Sequence, residues 1–590
     1  MSRRSQALSA RLLAAAGLAA GLAAAAAETP PRDLRSDTWA ATDALGRRLP
    51  GFAECGPPRK GKSVGIFYFL WMERRPGQKV YDITRLLAAN PTDPQYGPKH
   101  AFHFWGRPHL GYYVCDDPFV LRKHARMLTD AGVDAVIFDV TNALTYDRNV
   151  LAVCRAYREV RRTGRATPQI AFLANSHSDR VVKHLYERFY AKKLYPELWF
   201  RWKGRPLLLA PPDGLTDEHK RFFTIRRSWA WTHRAGWFGD GRDKWPWLDH
   251  YPQKPGWHDR PERPEQVPVC TAQHATSNIG RSFHDGSQPP PGRTATDRGP
   301  CFAEQWRQAL KVDPEFVFIT GWNEWIAQRF LKAPRRAPGA FLGRPLKPGD
   351  TFFVDQYNQE FSRDIEPMHG GHGDNYYYQM AAGIRRFKGV RRRAKASAAK
   401  TIALGEADAW ANVGPELLDD VGDTAARDHP GFDAAERYVN KTGRNDFDAM
   451  KVARDATTLY FLARTREPIT PPAGSSWMVP LLDTDADGKT GWAGYDFAVN
   501  RRRDAQGTCS IERNAGGWKW APAGLARLHV EGRELHLAVP RAAVGLAAGK
   551  GKLKLDFKWT DNLPAEPTPL DFIDKGDAAP NGRFNYRYEE

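Results

Sequence analysis

Polar and aromatic side chains recur just after short apolar runs in this 590-residue chain. Trp71 and Glu73 follow Val64–Leu70, and Asp139 and Asn142 lie at the end of DAVIFDV. Asn175 and His177 follow QIAFLA, and Gln273 and His274 follow Val267–Thr271. Trp322, Asn323, Glu324 and Trp325 follow FVFIT. Carboxylates, amides and imidazoles bind hydroxyls and move protons, while indoles offer flat apolar faces. Sugars present both kinds of surface, so this set suits carbohydrate better than nucleotide or peptide. Candidate substrate contacts are Tyr68, Trp71, Trp105, Tyr112, His274, Trp322, Asn323 and Trp325. The Trp-rich stretch 229–257 reads as a stacking wall, or else as loop packing.

The elements that must position these residues alternate. Val64–Leu70, Asp134–Val140, Gln169–Ala174, Pro206–Ala210, Phe222–Arg226, Val267–Thr271 and Phe316–Thr320 read as buried strands, with a weaker eighth around Trp247–Tyr251. Asp117-Pro118 starts a helix that Gly132 ends. Arg148–Arg162, Asp179–Lys192 and Asn375–Val390 are further helices. Alternating β and α over about 330 residues argues for a (β/α)8 barrel, whose chemistry sits at the C-terminal ends of its strands. After Lys400 strand-like runs take over: Thr458–Ala463, Trp477–Leu482, Phe497–Asn500, Glu534–Val539 and Lys552–Trp559. These predict an all-β sandwich. The expected organisation is a signal peptide (1–27), a lead-in (28–60), the barrel (61–395) and the sandwich (400–590).

Arg3, Arg4 and Arg11, the Ala-rich run from Leu12 and Ala25-Ala26-Ala27 are the parts of a cleavable signal. The expectation is a secreted or periplasmic protein with no membrane span after signal removal. Lys and Arg exceed Asp and Glu by 87 to 68. That excess adds an acidic polysaccharide as a candidate partner, while export argues against nucleic acid. The densest basic run, Arg385–Lys395, reads as a solvated helix end. No CxxC, HExxH, GxSxG or P-loop is present, and no cofactor is required for the expected chemistry.

Two segments carry a family resemblance. His109–Asn142 resembles the early part of the glycoside hydrolase family 71/99-like group, and FVFITGWNEW (Phe316–Trp325) looks like that group's last-strand motif. Family 99 contains endo-acting α-mannosidases on a (β/α)8 barrel, so the resemblance implies that fold and glycoside cleavage. It matches Glu324 to a glutamate that assists through the substrate 2-hydroxyl. It also expects an acid/base three residues later, where this chain has Ala327. A related group of lipopolysaccharide-synthesis proteins shares the WNEW element. Glycoside cleavage needs a proton donor and a second carboxylate. Glu324 is therefore paired with Asp139 or Glu366 as the second group. Asp139 could instead be a strand-end turn. The Glu360, Asp364 and Glu366 cluster could be a charged loop paired with Arg363. With Ala327 in place of the acid, a carbohydrate-binding protein without catalysis is the alternative.

In the second unit Asp483, Asp485 and Asp487 are spaced as in a calcium loop, so structural calcium is expected there, or else an ordinary Asx turn. Thr490–Asp496 and Asp571–Tyr588 resemble family 9-type carbohydrate-binding modules. His369 and His372 read as a Gly-rich turn rather than a metal site.

Overall fold

A computed structural model of the protein describes residues 32–234, 236–335, 337–546 and 552–590. The expected signal peptide lies outside the described residues. The N-terminal unit alternates β1 (Ser63–Tyr68), α1 (Pro118–Ala131), β2 (Ala135–Val140), α2 (Asp147–Arg162), β3 (Gln169–Ala174) and α3 (Ser178–Leu185). It continues through β4 (Arg205–Leu209), α4 (Asp217–Phe222), β5 (Thr224–Arg226), β6 (Pro264–Cys270), α5 (Pro300–Val312), β7 (Phe316–Trp322) and α6 (Asn375–Lys388). The strands pair in the order β5-β4-β3-β2-β1-β7-β6, all parallel. α1 starts as its sequence dictates: Asp117 accepts from Phe119 N (3.0 Å) and Val120 N (3.4 Å), Pro118 takes the first position, and Gly132 ends the helix at φ 90°.

Between β5 and β6 the sheet loses regularity. Residues 243–248 run beside 227–231, with Trp245 N donating to Arg227 O (2.9 Å) and Trp231 N to Leu248 O (2.7 Å). This run takes the place of the expected eighth strand around Trp247–Tyr251. It meets β6 through the side chain of Gln266, whose Nε2 donates to Pro246 O (2.8 Å), and through the short strand Gly256–Trp257, which pairs antiparallel with β6 and accepts from Asp243 N at Trp257 O (2.7 Å). Pro246 has no N–H to give a ladder. The unit is therefore a curled parallel sheet wrapped by helices, and the backbone hydrogen bonds do not draw the complete (β/α)8 barrel that was expected.

Both faces of this sheet are covered, which explains its unbroken apolar runs. Side chains alternate across each strand. Phe67, Phe69, Ile137, Leu173, Leu207, Leu209 and Phe318 line the concave side with Trp245 and Trp247. Ile66, Tyr68, Phe138, Phe172 and Ile319 face the helices.

The C-terminal unit is built on one large antiparallel sheet, edged by the short strand Leu417–Leu418, with a separate hairpin of Arg427–Pro430 and Arg437–Asn440. Its strands are β9 (Phe447–Arg454), β10 (Thr458–Thr465), β11 (Val479–Asp483), β12 (Phe497–Arg503), β13 (Thr508–Asn514) and β14 (Trp520–Glu531). They continue with β15 (Glu534–Pro540), β16 (Lys554–Asp561), β17 (Asp577–Ala579) and β18 (Tyr586–Glu589). The order is β9-β10-β15-β14-β13-β12-β11-β16-β17, with β18 also on β16. Phe447 N donates to Asp577 Oδ2 (2.7 Å), so the two ends of the sheet nearly meet. All five strands expected from the sequence fall within this sheet.

The two units share a core. Trp39 of the lead-in packs edge-on against Phe584 and Tyr586. Arg583 donates to Asp374 Oδ2 (2.7 Å), and Arg427 Nε to Asp117 Oδ2 (2.8 Å). The basic run is only in part the solvated helix end expected: Arg386, Arg392 and Lys395 are exposed, while others are engaged. Arg385 is buried and donates to Ser36 O (2.6 Å) and Trp39 O (3.0 Å), and Arg391 pairs with Asp33 and Asp37. Among the described residues no helix is long and apolar enough to cross a membrane.

α6 reaches α5 because Gly383 has no side chain: a Cβ there would lie 2.3 Å from the Trp306 ring. Gly383→Ala is therefore expected to destabilise the chain by about 1–3 kcal/mol, despite the better helix propensity of Ala. Urea unfolding of the two proteins measures the difference.

Candidate functional site

The C-terminal ends of β1, β2 and β7 converge on one buried guanidinium. Arg363, in the long connection from β7 to α6, donates from Nε to Glu324 Oε2 (3.0 Å) and from Nη2 to Glu324 Oε1 (2.5 Å). The same Nη2 reaches Asp355 Oδ1 at 3.2 Å. His274 Nε2 stands 3.3 Å from that Asp355 oxygen. Glu324 and Arg363 are each 1% exposed, whereas the Asp355 side chain is 33% exposed. The cluster thus runs from a closed Glu324 end to an open Asp355 end. Asp139 lies at the end of β2, where one oxygen accepts from Thr141 N (2.9 Å).

The charges follow from this geometry. Burial pushes the Asp139 carboxyl up to about 6, and the Asp355 charge adds to the rise. Burial lifts Glu324 to about 8 against the pull of Arg363. Asp355 goes the other way: burial opposes ionisation, but His274 and Arg363 hold it well below the usual carboxylate range. Burial also lowers His274. Groups pushed apart in this way can divide acid and base work.

Aromatic rings flank the cluster. Arg363 lies 5.5 Å from the Trp247 ring, and Trp231 meets His274 edge-on at 4.9 Å. Trp71 stacks on Phe69 at 5.5 Å, extending the concave-side series 67, 69, 71. The Trp-rich stretch therefore splits. Trp231 and Trp247 border the cluster, while Trp245 is fully buried and donates to Glu265 Oε2 (2.7 Å) inside the sheet.

Several expected site residues lie elsewhere. Glu366 is in the layer between sheet and helices, where it accepts from Tyr113 Oη (2.6 Å) and Trp325 Nε1 (2.6 Å) and pairs with His124 (3.0 Å). Tyr68 joins this network through His124 Nδ1 (2.9 Å). Trp105 and Trp325 stack face to face at 4.5 Å with neither exposed, and Trp322 is equally buried against His124. Tyr112 is buried and donates to Asp82 Oδ2 (2.6 Å). Strand alternation is the physical reason for Tyr68; Trp322 shares the parity of concave Phe318 and is turned to the helices by the register shift between the Ile66–Ile319 and Tyr68–Trp322 pairs. These residues are core, not sugar-stacking surfaces. Asn323 holds the end of β7 to that of β1: its amide exchanges two 2.9 Å bonds with the Phe69 backbone. Asp364 accepts from Asn323 N (2.9 Å), and Glu360 is bound by Ser282, Gln288 and Thr296. The acidic cluster after β7 is thus loop architecture.

The carboxylates expected to hold calcium are regrouped. Asp483, Asp485 and Asp496 bring oxygens within 4.8 Å of one another, whereas Asp487 caps Lys489 N (3.1 Å). Asp496 is brought back by the bond from its own N–H to Leu482 O (2.8 Å). His372 is buried against Trp105 and Tyr376, and His369 and His372 belong to neither carboxylate group that could hold a metal among the described residues.

No protein-family model matches the chain, and no curated protein does. Among solved structures it is similar to two of a GH99 endo-alpha-mannosidase from Bacteroides thetaiotaomicron, one with bis-tris-propane bound. Identities are 12% and 14% and TM-scores 0.32 and 0.31, over 55% and 56% of this chain and 97% and 98% of those chains.

Removing Arg363 would leave Glu324 buried without its counter-ion. Arg363→Met is expected to lose about 3–5 kcal/mol of stability. A raised carboxyl favours the folded state while protonated and loses that contribution as pH rises through its folded value. The deficit should therefore grow as pH rises past about 8, being larger at pH 9.5 than at pH 5, as read by urea unfolding at both.

Proposed function

We propose that the protein is an exported glycoside hydrolase acting at the sheet's C-terminal edge, on an oligosaccharide or polysaccharide. The observation that carries this reading is the shared guanidinium of Arg363, which ties buried Glu324 to the accessible carboxylate Asp355 beside Asp139. Glycosidic cleavage requires one carboxyl to protonate the leaving oxygen and a second to act as nucleophile or to activate water. Asp139, raised to about 6, suits the proton donor. Asp355, held ionised by His274 and Arg363 and half-exposed, suits the second role. Glu324 fixes Arg363 and through it Asp355, while Trp71, Trp231 and Trp247 supply apolar faces for a sugar ring. Net positive charge favours acidic glycans among the substrates.

One observation favours the second reading, a carbohydrate-binding protein without hydrolysis. Ala327 lies in an apolar cluster with Ile83, Phe353 and Tyr357, so no carboxyl stands there. We also assign structural calcium to Asp483, Asp485 and Asp496, an all-oxygen set in which Asp483 Oδ1 is buried without a hydrogen-bond partner.

The test is release of reducing ends from a panel of neutral and acidic glycans by the mature chain. Asp139→Asn is expected to lower kcat/KM by about a hundred- to ten-thousand-fold. Because the donor must be protonated, wild-type kcat/KM should fall as pH rises above about 6, and that limb should vanish in Asp139→Asn. Binding of a glycan with no release from any would establish the second reading instead.

A further inference from the structure

A second concentration of buried charge lies where the sandwich leans on α1. Asp419, Asp423 and Asp577 each bring a carboxylate oxygen within 4.8 Å of the others, and all three are buried. They come from distant parts of the unit. Asp419 follows the edge strand Leu417–Leu418, and Asp577 opens β17 at the other end of the sheet.

The surrounding acids have partners. Asp130 pairs with Arg165, and Asp420 lies 3.4 Å from Arg165 and 3.7 Å from Arg126. Asp446 accepts from Gly422 N and lies 3.8 Å from Arg466. Asp423 lies 3.7 Å from Lys123 Nζ. Lys558 faces the group but spends its ammonium on the carbonyls of Pro580 and Phe584. The Asp577 oxygens accept from Phe447 N (2.7 Å) and Ala578 N (2.8 Å). Asp419 is different: it is 1% exposed, and neither of its carboxylate oxygens has a hydrogen-bond partner. Oδ1 of Asp423 is likewise unpartnered. Among the described residues no ion pair engages Asp419 or Asp577.

An ionised carboxylate without partners costs several kcal/mol to bury. A cation touching all three groups would supply the missing charge and keep them ionised; without one, burial and the neighbouring acids push the Asp419 and Asp577 carboxyls up toward the neutral form. Two unneutralised carboxylates match a divalent charge, and an oxygen-only donor set suits a hard cation. Oxygens that share one calcium ion lie at most about 4.8 Å apart, twice a Ca–O distance of roughly 2.4 Å, and the three groups stand within that reach. We propose that Asp419, Asp423 and Asp577 bind calcium, which fastens the first and last strands of the sandwich to each other against α1. The site shares no residue with the Asp483 group.

The test uses the full chain, stripped with EDTA and then equilibrated with calcium chloride. Bound calcium per chain and the melting temperature are measured for wild type, Asp419→Asn and Asp485→Asn. Asp419→Asn should hold one calcium fewer than wild type and melt lower than wild type in calcium. In EDTA it should melt at or above wild type, because a like charge has gone. Asp485→Asn, altered at the other site, should keep the calcium that Asp419→Asn loses. Unchanged calcium content in Asp419→Asn, or melting at or above wild type in both conditions, overturns the proposal. Should Asp419→Asn fail to fold, the same comparison on Asp423→Asn decides it.

Discussion

Alternation of side chains across β1 and β7 is the constraint on which the rest of the N-terminal unit depends. A parallel sheet covered on both faces gives each strand two apolar sides. Parity then decides which residues meet the concave space. In β1, Phe67 and Phe69 go inward and Tyr68 goes to the helices. The aromatic and polar residues on the helix side do not idle. Tyr68, His124, Glu366, Tyr113 and Trp325 form a chain of hydrogen bonds, branched at Glu366, that anchors α1 and the post-β7 loop to the sheet. Asn323 completes the fastening by bonding both backbone groups of Phe69. The neighbouring Glu324 is thereby delivered to Arg363.

This explains what was legible in the sequence. The strands and helices were, because unbroken apolar runs bounded by Asp-Pro and Gly report two-sided burial directly. Glu324, Asp139 and His274 were legible as strand-end polar residues. The aromatic contacts were not, because composition shows that Trp is abundant but not which way each ring points. Tyr68 differs from Phe67 only in parity, and Trp322 is turned away from the concave side by a register shift that no residue type announces. Asp355 was missed because it lies in a long connection, about thirty residues beyond Glu324 in sequence, and only the fold of that loop brings it to Arg363. Its one local signal is an apolar run, Phe352–Val354, ending in a carboxylate, the same signal that marks Asp139. The eighth strand expected around Trp247–Tyr251 is displaced to the irregular run 243–248, because hydrophobicity alone does not show where Pro246 and the neighbouring turns interrupt the ladder.

The basic run at Arg385–Lys395 carries a similar lesson about charge. Its net sign suggests solvent or an acidic partner, yet Arg385 and Arg391 are spent on the lead-in. Backbone carbonyls of Ser36 and Trp39 and the carboxylates of Asp33 and Asp37 take their donors. The lead-in in turn holds Trp39 against Phe584 and Tyr586, so these arginines couple the two units through a segment that belongs to neither.

Buried ionic clusters recur at two places with opposite logic. At the strand ends, two carboxylates share a single guanidinium with a third nearby, and the imbalance is divided: Glu324, out of solvent, is lifted to about 8, half-buried Asp355 is held ionised, and Asp139 is lifted to about 6. Such division is costly to stability, since burying a charge is rarely repaid in full. It is the expense expected of a site whose groups must differ in protonation. At the sandwich seam the acids are alike, close and equally buried, so nothing in their surroundings assigns them different protonation roles. Like carboxylates packed this way repel, and the chain's own cations neutralise only the outer members. The first site therefore reads as proton chemistry and the second as cation binding, a distinction that rests on how each cluster is partnered rather than on how acidic it is.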